Sequence, residues 1–144
     1  MTETQPPRRI GRSIGAVLAG ILVGVTLSLG TDVVLHSIGV FPPWGQSMVG
    51  FEGALLLATV YRTVYGVAAG YITARLAPDR AMLHALVGGF AGLVVSVVGA
   101  AVTWNKGPAF GPHWYPLALV VLALPSAWAG GKLCVMQLRA HVDG

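Results

Sequence analysis

Two charged residues lie within apolar segments and are the best placed in this sequence to do chemistry. Asp32 lies at the end of one segment, and Arg62 lies seven residues after Leu55 in the next, about 10 Å deeper at 1.5 Å per residue. A charge near the bilayer centre costs at least about 2.5 kcal/mol and normally finds a partner. Because an outward-reaching arginine side chain covers most of that distance, Asp32 and Arg62 are predicted to pair if their helices are neighbours.

His36, Tyr61 and Tyr65 extend this polar cluster. His36 follows Asp32 by four residues, which places both on one helix face, and the two tyrosines add hydroxyl groups near Arg62. Asp32, His36 and Arg62 together would form a proton or anion site open toward the outer face. The alternative is a structural ion pair that fixes helix register. The sequence favours the ion pair, because nothing in it indicates a path to the cytoplasm.

Metal, haem and enzyme chemistry have less support. Asp32, His36, Glu52 and His113 are predicted on one side of the membrane, but no spacing among them demonstrates the fixed geometry that a metal site needs. Axial haem ligation by His36 and His113 is weaker still. The sequence contains no Gly-rich phosphate loop and no HExxH, CxxC or GxSxG motif. We therefore expect no metal, no cofactor and no enzymatic activity.

The composition predicts the kind of elements that position this cluster. The chain has 144 residues, of which 55% are hydrophobic and 10% are charged, and its mean hydropathy is +0.73. Soluble domains usually contain about 25% charged residues. The composition therefore excludes an ordinary soluble domain, a disordered chain and a disulfide scaffold. We predict an all-α, polytopic integral membrane protein.

Four apolar segments reach the roughly 20 residues that a helix needs to cross a bilayer. They are predicted at about 13–36, 53–74, 82–103 and 116–138. Turns that contain proline and glycine separate them. The sequence thus predicts one four-helix transmembrane domain over 13–138, between tails at 1–12 and 139–144.

The lysine and arginine residues predict the orientation. Seven lie in the N-terminal tail, in the second gap and around the end of the last span, whereas the first and third gaps contain only Lys106. Such residues are retained on the cytoplasmic side, so both termini are predicted to be cytoplasmic in a bacterial-type inner membrane. The net charge of +4 does not indicate a nucleic-acid partner, because no basic face carries interleaved aromatic residues. The opposite side carries a candidate aromatic belt of Trp44, Phe51, Trp104, Phe110, Trp114 and Tyr115.

The first span has an alternative interpretation as a cleaved signal peptide. Arginines precede it, and Ser28-Leu29-Gly30 is similar to a small-residue cleavage site. Its apolar run is longer than the roughly 7–15 residues usual in signal peptides, so we favour a retained helix. A mature chain that starts at Thr31 would contradict the four-span prediction.

Small residues recur at every fourth position in three of the four spans. Steps of four stay on one inclined helix face, and small residues let helix backbones approach closely in lipid. The same faces have an alternative use as the walls of a ligand groove. We predict that helices pack, within the bundle or between protomers, through Gly20, Gly24, Gly66, Gly70, Gly88 and Gly92.

These observations predict a small inner-membrane protein without enzymatic activity of its own. The glycine-rich faces indicate a homo-oligomer or an accessory subunit of a membrane complex, with the lipid bilayer and another membrane protein as partners. The alternative is a small oligomeric proton-coupled transporter or channel that uses Asp32, His36 and Arg62. A membrane enzyme that acts on lipid has the least support.

Overall fold

A computed structural model describes residues 9–142, apart from the side chain of Pro108. Within that range the chain forms four α-helices: α1 Ile10–Ser37, α2 Glu52–Leu76, α3 Ala81–Thr103 and α4 Trp114–Val142. A short 3-10 turn, Pro108–Phe110, lies between α3 and α4. Each α-helix is long and apolar enough to cross a membrane. The prediction of an all-helical chain with four candidate spans is therefore confirmed.

The helices extend beyond the apolar runs that predict them. α1 begins at Ile10, and α4 continues to Val142 through most of the predicted tail 139–144. Hydropathy locates only the apolar part of a helix, whereas polar residues with good helix propensity lengthen its ends. Residues 1–8, which include Arg8 of the predicted N-terminal tail, and residues 143–144 lie outside the described part of the chain.

The turn after α1 folds the chain back against the helix bundle. Gly39 has a φ of 78°, the left-handed conformation that commonly terminates a helix. The backbone amides of Val40 and Phe41 both donate to the carbonyl oxygen of Leu35, at 3.0 and 3.1 Å. Phe41 is consequently buried, with 4% of its surface exposed.

α4 packs against both α2 and α3, while α1 packs mainly against α2. At the crossing of α2 and α4, a Cβ on Gly130 would lie 2.0 Å from the carbonyl oxygen of Val67. A Cβ on Gly70 would lie 2.5 Å from the carbonyl oxygen of Ala127. Glycine therefore allows the two backbones to approach as closely as they do.

The outward faces of the helices are apolar. Leu22, Val95 and Val121 each expose about two-thirds of their surface, at 66%, 72% and 69%. Monomeric soluble proteins rarely expose large contiguous apolar patches, whereas lipid tails are as apolar as these side chains. The buried side chains are mostly small and include Ala58, Ala74, Ala85, Ala127 and Cys134.

Candidate functional site

Asp32 and Arg62 form an ion pair between α1 and α2. Nη2 of Arg62 donates to Oδ2 of Asp32 at 2.6 Å. The hydroxyl of Tyr61 donates to the other carboxylate oxygen, Oδ1. Asp32 is only 7% exposed, so both oxygens of a nearly inaccessible carboxylate are engaged. Charge-assisted hydrogen bonds of this kind are the stronger ones in proteins.

An apolar cluster positions this ion pair. Phe41, Ala58 and Tyr61 are buried together. Partly buried side chains from α1, from the turn after it, from α2 and from α4 surround them. The guanidinium of Arg62 also lies over the ring of Tyr61, at 5.9 Å from its centroid. Because the turn after α1 carries Phe41 back to α2, it closes the side of the cluster that faces this turn. The surrounding side chains are Leu35, Met48, Ala54, Tyr65 and Tyr115.

His36 and Tyr65 lie beside the pair but bind other groups. Nδ1 of His36 donates to the backbone carbonyl of Asp32 at 2.7 Å, and its ring stacks on Trp44 with centroids 3.7 Å apart. The hydroxyl of Tyr65 is hydrogen-bonded to Oγ1 of Thr31 at 2.8 Å. The structure thus brings Asp32, Arg62 and Tyr61 together, whereas the predicted contribution of His36 to the carboxylate site is not seen.

A second histidine stacks on a tryptophan in the turn between α3 and α4. The ring of His113 stacks on Trp104 with centroids 4.2 Å apart and planes at 9°. Nε2 of His113 donates to the carbonyl oxygen of Trp104 at 3.1 Å. His36 on α1 thus holds the side chain of Trp44 in the following turn, whereas His113 in the turn before α4 both stacks on Trp104 and bonds its backbone. Among residues 9–142, no group of three His, Cys, Asp or Glu side chains is placed to hold a metal ion.

A groove of about 340 Å³ runs between α1 and α3, with α2 and α4 behind it. Two of the predicted packing faces form its opposite walls. The α1 wall includes Gly20, Gly24 and Ser28, and the α3 wall includes Gly88, Gly92 and Ser96. The groove is partly open to the surroundings, because α1 and α3 make few contacts with each other.

The six predicted packing glycines divide into two groups. A Cβ on Gly20, Gly66 or Gly70 would lie 1.9 to 2.5 Å from an atom of a neighbouring helix, so these glycines are closely packed. Gly24 and Gly88 have only ordinary contacts, at 3.4 and 3.5 Å. A Cβ on Gly92 would meet nothing within 4 Å. Gly92 therefore packs against no helix of its own bundle and faces the open groove, so for this glycine packing between protomers stays a prediction.

The packing face of α4 is not among those predicted from the sequence. Its small residues meet both neighbouring helices: Ser126 lies against Gly66, and Ala127 lies against Gly70 and Gly89. A signal for this face is present in the sequence, since small residues recur in steps of four along α4. The two sets are Ala123, Ala127 and Gly131, and Ser126, Gly130 and Cys134.

Arg62 connects the ion pair to the groove. It is the one charged side chain among the described residues that line the groove, whereas Asp32 and Tyr61 do not line it. The Arg62 side chain is 33% exposed, against 10% for Asp32. Within the described part of the chain, Nε of Arg62 is buried without a hydrogen-bond partner. The positive end of the pair thus faces the groove, and the carboxylate lies behind it.

Comparison of the chain with family models, with curated proteins and with solved structures found no match.

Proposed function

We propose that the chain is an integral protein of a bacterial-type inner membrane that crosses the bilayer four times, with both termini in the cytoplasm. The four long apolar helices and their exposed apolar side chains support the crossings. The orientation is supported by the lysine and arginine residues, which are concentrated at one end of the helices.

We further propose that it acts by binding inside the bilayer, as an accessory subunit or homo-oligomer without catalysis. The observation that carries this proposal is the groove, whose two walls are the small-residue faces of α1 and α3. In lipid, small residues allow an apolar partner to approach the helix backbone closely. A volume of about 340 Å³ lies within the usual range for ligand sites.

The ion pair gives less support to a proton-coupled transporter. A proton-carrying carboxylate needs access to water on both sides, but Asp32 is buried and both of its oxygens accept hydrogen bonds. Asp32 also does not line the groove. We therefore assign the pair a positioning role, in which it holds α1 against α2 on one side of the groove.

Native mass spectrometry of the gently extracted full chain tests the binding proposal. Gly92→Leu fills the groove from a position where a Cβ would contact no other atom within 4 Å. Gly99→Leu is the matched control, because Gly99 lies on the same helix, has equally open surroundings and does not line the groove. We expect wild type and Gly99→Leu to carry an additional mass that Gly92→Leu lacks. A wild-type chain that is bare and monomeric, or an additional mass that Gly92→Leu retains, would overturn the proposal.

A further inference from the structure

We propose that the groove holds one acyl chain of an anionic phospholipid from the outer leaflet, with the lipid phosphate at Arg62. This inference rests on the proposed binding function and names the molecule that occupies the groove. Three features of the described residues support it: the length of the groove, the position of its one charged side chain, and the absence of a matching acidic group on a second copy.

The groove has the length of one lipid leaflet. Along α1 its lining extends from Gly20 to Leu29, and Asp32, which pairs with Arg62, follows Leu29 by three residues. Nine residues of helix separate Gly20 from Leu29, a rise of about 14 Å. Half of a typical hydrocarbon core is about 15 Å thick. An acyl chain along this wall therefore spans one leaflet while its headgroup stays level with the ion pair.

The charge at the outer end of the groove selects an acidic headgroup. A guanidinium has five N–H donors in a planar fork, and the ion pair with Asp32 uses Nη2. Arg62 lines the groove with a side chain that is one-third exposed, whereas Asp32 does not line it. Because Nη2 is taken by Asp32 and Nε is buried, Nη1 is the nitrogen left to donate a charge-assisted hydrogen bond to a phosphate oxygen. A zwitterionic headgroup would bring its own cation close to Arg62, which is unfavourable.

A helix from a second copy of the chain fits this charge less well. Its apolar side chains would cover the exposed edge of Arg62 without supplying an acceptor, and covering a charge in this way is costly. Of the acidic side chains in the described residues, Asp32 is already paired, Glu52 begins α2 at its outer end, and Asp79 lies in the turn after α2. None of these three can reach the Arg62 of a neighbouring chain at the depth of the groove.

Lipid titration of the delipidated full chain, followed by native mass spectrometry, tests the inference. The probes are phosphatidylglycerol and phosphatidylcholine with identical acyl chains. The variants are Gly92→Leu, Gly99→Leu and the double change Asp32→Asn/Arg62→Gln, which removes the guanidinium without leaving a carboxylate unpaired. We expect wild type and Gly99→Leu to bind one phosphatidylglycerol about tenfold more tightly than phosphatidylcholine, since one charge-assisted contact is worth about 1.4 kcal/mol.

We expect Gly92→Leu to lose this one tight site and the double variant to bind both lipids equally. Equal binding of both lipids by wild type, lost in Gly92→Leu, would overturn the anionic specificity while leaving the groove as a binding site. A dimer that forms in wild type but not in Gly92→Leu would overturn the lipid as occupant. Lipid retained by Gly92→Leu would show a general lipid shell and overturn the inference. Absence of any bound molecule or second chain would overturn the proposed function as well.

Discussion

Asp32 illustrates how a single carboxylate is accommodated in an apolar helix. Its charge is met by Arg62 on one oxygen and by the Tyr61 hydroxyl on the other. His36, one helical turn further along, binds the backbone carbonyl of Asp32 instead of its carboxylate. Both oxygens of the carboxylate are therefore satisfied, whereas Nε of Arg62 is buried without a partner, and the opposite charges offset part of the cost of burying each other.

Breaking one half of the ion pair is expected to destabilise the chain more than removing both halves. Asp32→Asn leaves the partly exposed guanidinium of Arg62 without its counter-charge among apolar helices, and we expect a loss on the order of 3 kcal/mol in the free energy of unfolding. The double variant Asp32→Asn/Arg62→Gln is expected to lose clearly less stability than the sum of the losses of Asp32→Asn and Arg62→Gln measured singly. Unfolding of the four proteins in mixed detergent micelles measures this, and strictly additive losses would contradict the pairing.

The Tyr61 hydroxyl is expected to make a smaller contribution. Tyr61→Phe keeps the ring in its apolar cluster but removes one hydrogen bond to the carboxylate, which should cost about 1 kcal/mol. Tyr71→Phe is the matched control, because the Tyr71 hydroxyl donates to Gln137 at an exposed position. The same unfolding measurement should show little change for the control. Equal losses in the two variants would argue against a special role for the Tyr61 hydroxyl.

Among the elements, α4 carries a packing role that its sequence only partly reveals. Residue spacing predicts four helices, because long apolar runs need no knowledge of their neighbours. Spacing also predicts the Asp32–Arg62 pair on the condition that α1 and α2 are neighbours, and the structure shows that they are. It does not predict which small-residue face meets another helix: Gly70 and Gly92 stand in similar stripes, yet one packs and the other lines a groove. The stacking of His36 depends on Trp44 in a loop, whose path no helical periodicity describes.

Two glycine-to-alanine changes separate these two kinds of glycine. Gly130→Ala places a methyl group against the backbone of α2, so we expect a loss of about 1–3 kcal/mol and a lower thermal midpoint. Gly92→Ala adds the same methyl group to open space, and the better helix propensity of alanine should leave stability unchanged or raise it by up to about 1 kcal/mol. Thermal unfolding of the detergent-solubilised variants measures both. A larger loss in Gly92→Ala than in Gly130→Ala would place the tight helix crossing elsewhere.

The whole molecule is polarised along its helices. Two loops with His–Trp stacks lie at one end. The turn that contains Arg80 lies at the other end, together with the start of α1 and the end of α4. The ion pair lies nearer the first end, and the groove extends from it toward the middle of the bundle. Aromatic side chains favour membrane interfaces, and positive side chains favour the cytoplasmic side. This polarity supports the proposed orientation, in which both termini are cytoplasmic.

Cysteine labelling tests that orientation directly. In a Cys134→Ala background, Gln46→Cys introduces a thiol into the turn between α1 and α2, and Asp79→Cys introduces one into the turn between α2 and α3. A membrane-impermeant maleimide should label Gln46→Cys in intact spheroplasts but Asp79→Cys only after the membrane is opened. The reason is that Arg75 and Arg80 flank the second turn and hold it on the cytoplasmic side. The opposite labelling pattern would invert the orientation and place the anionic lipid at Arg62 in the inner leaflet. Labelling of both thiols in intact spheroplasts would contradict the proposal that α2 crosses the membrane.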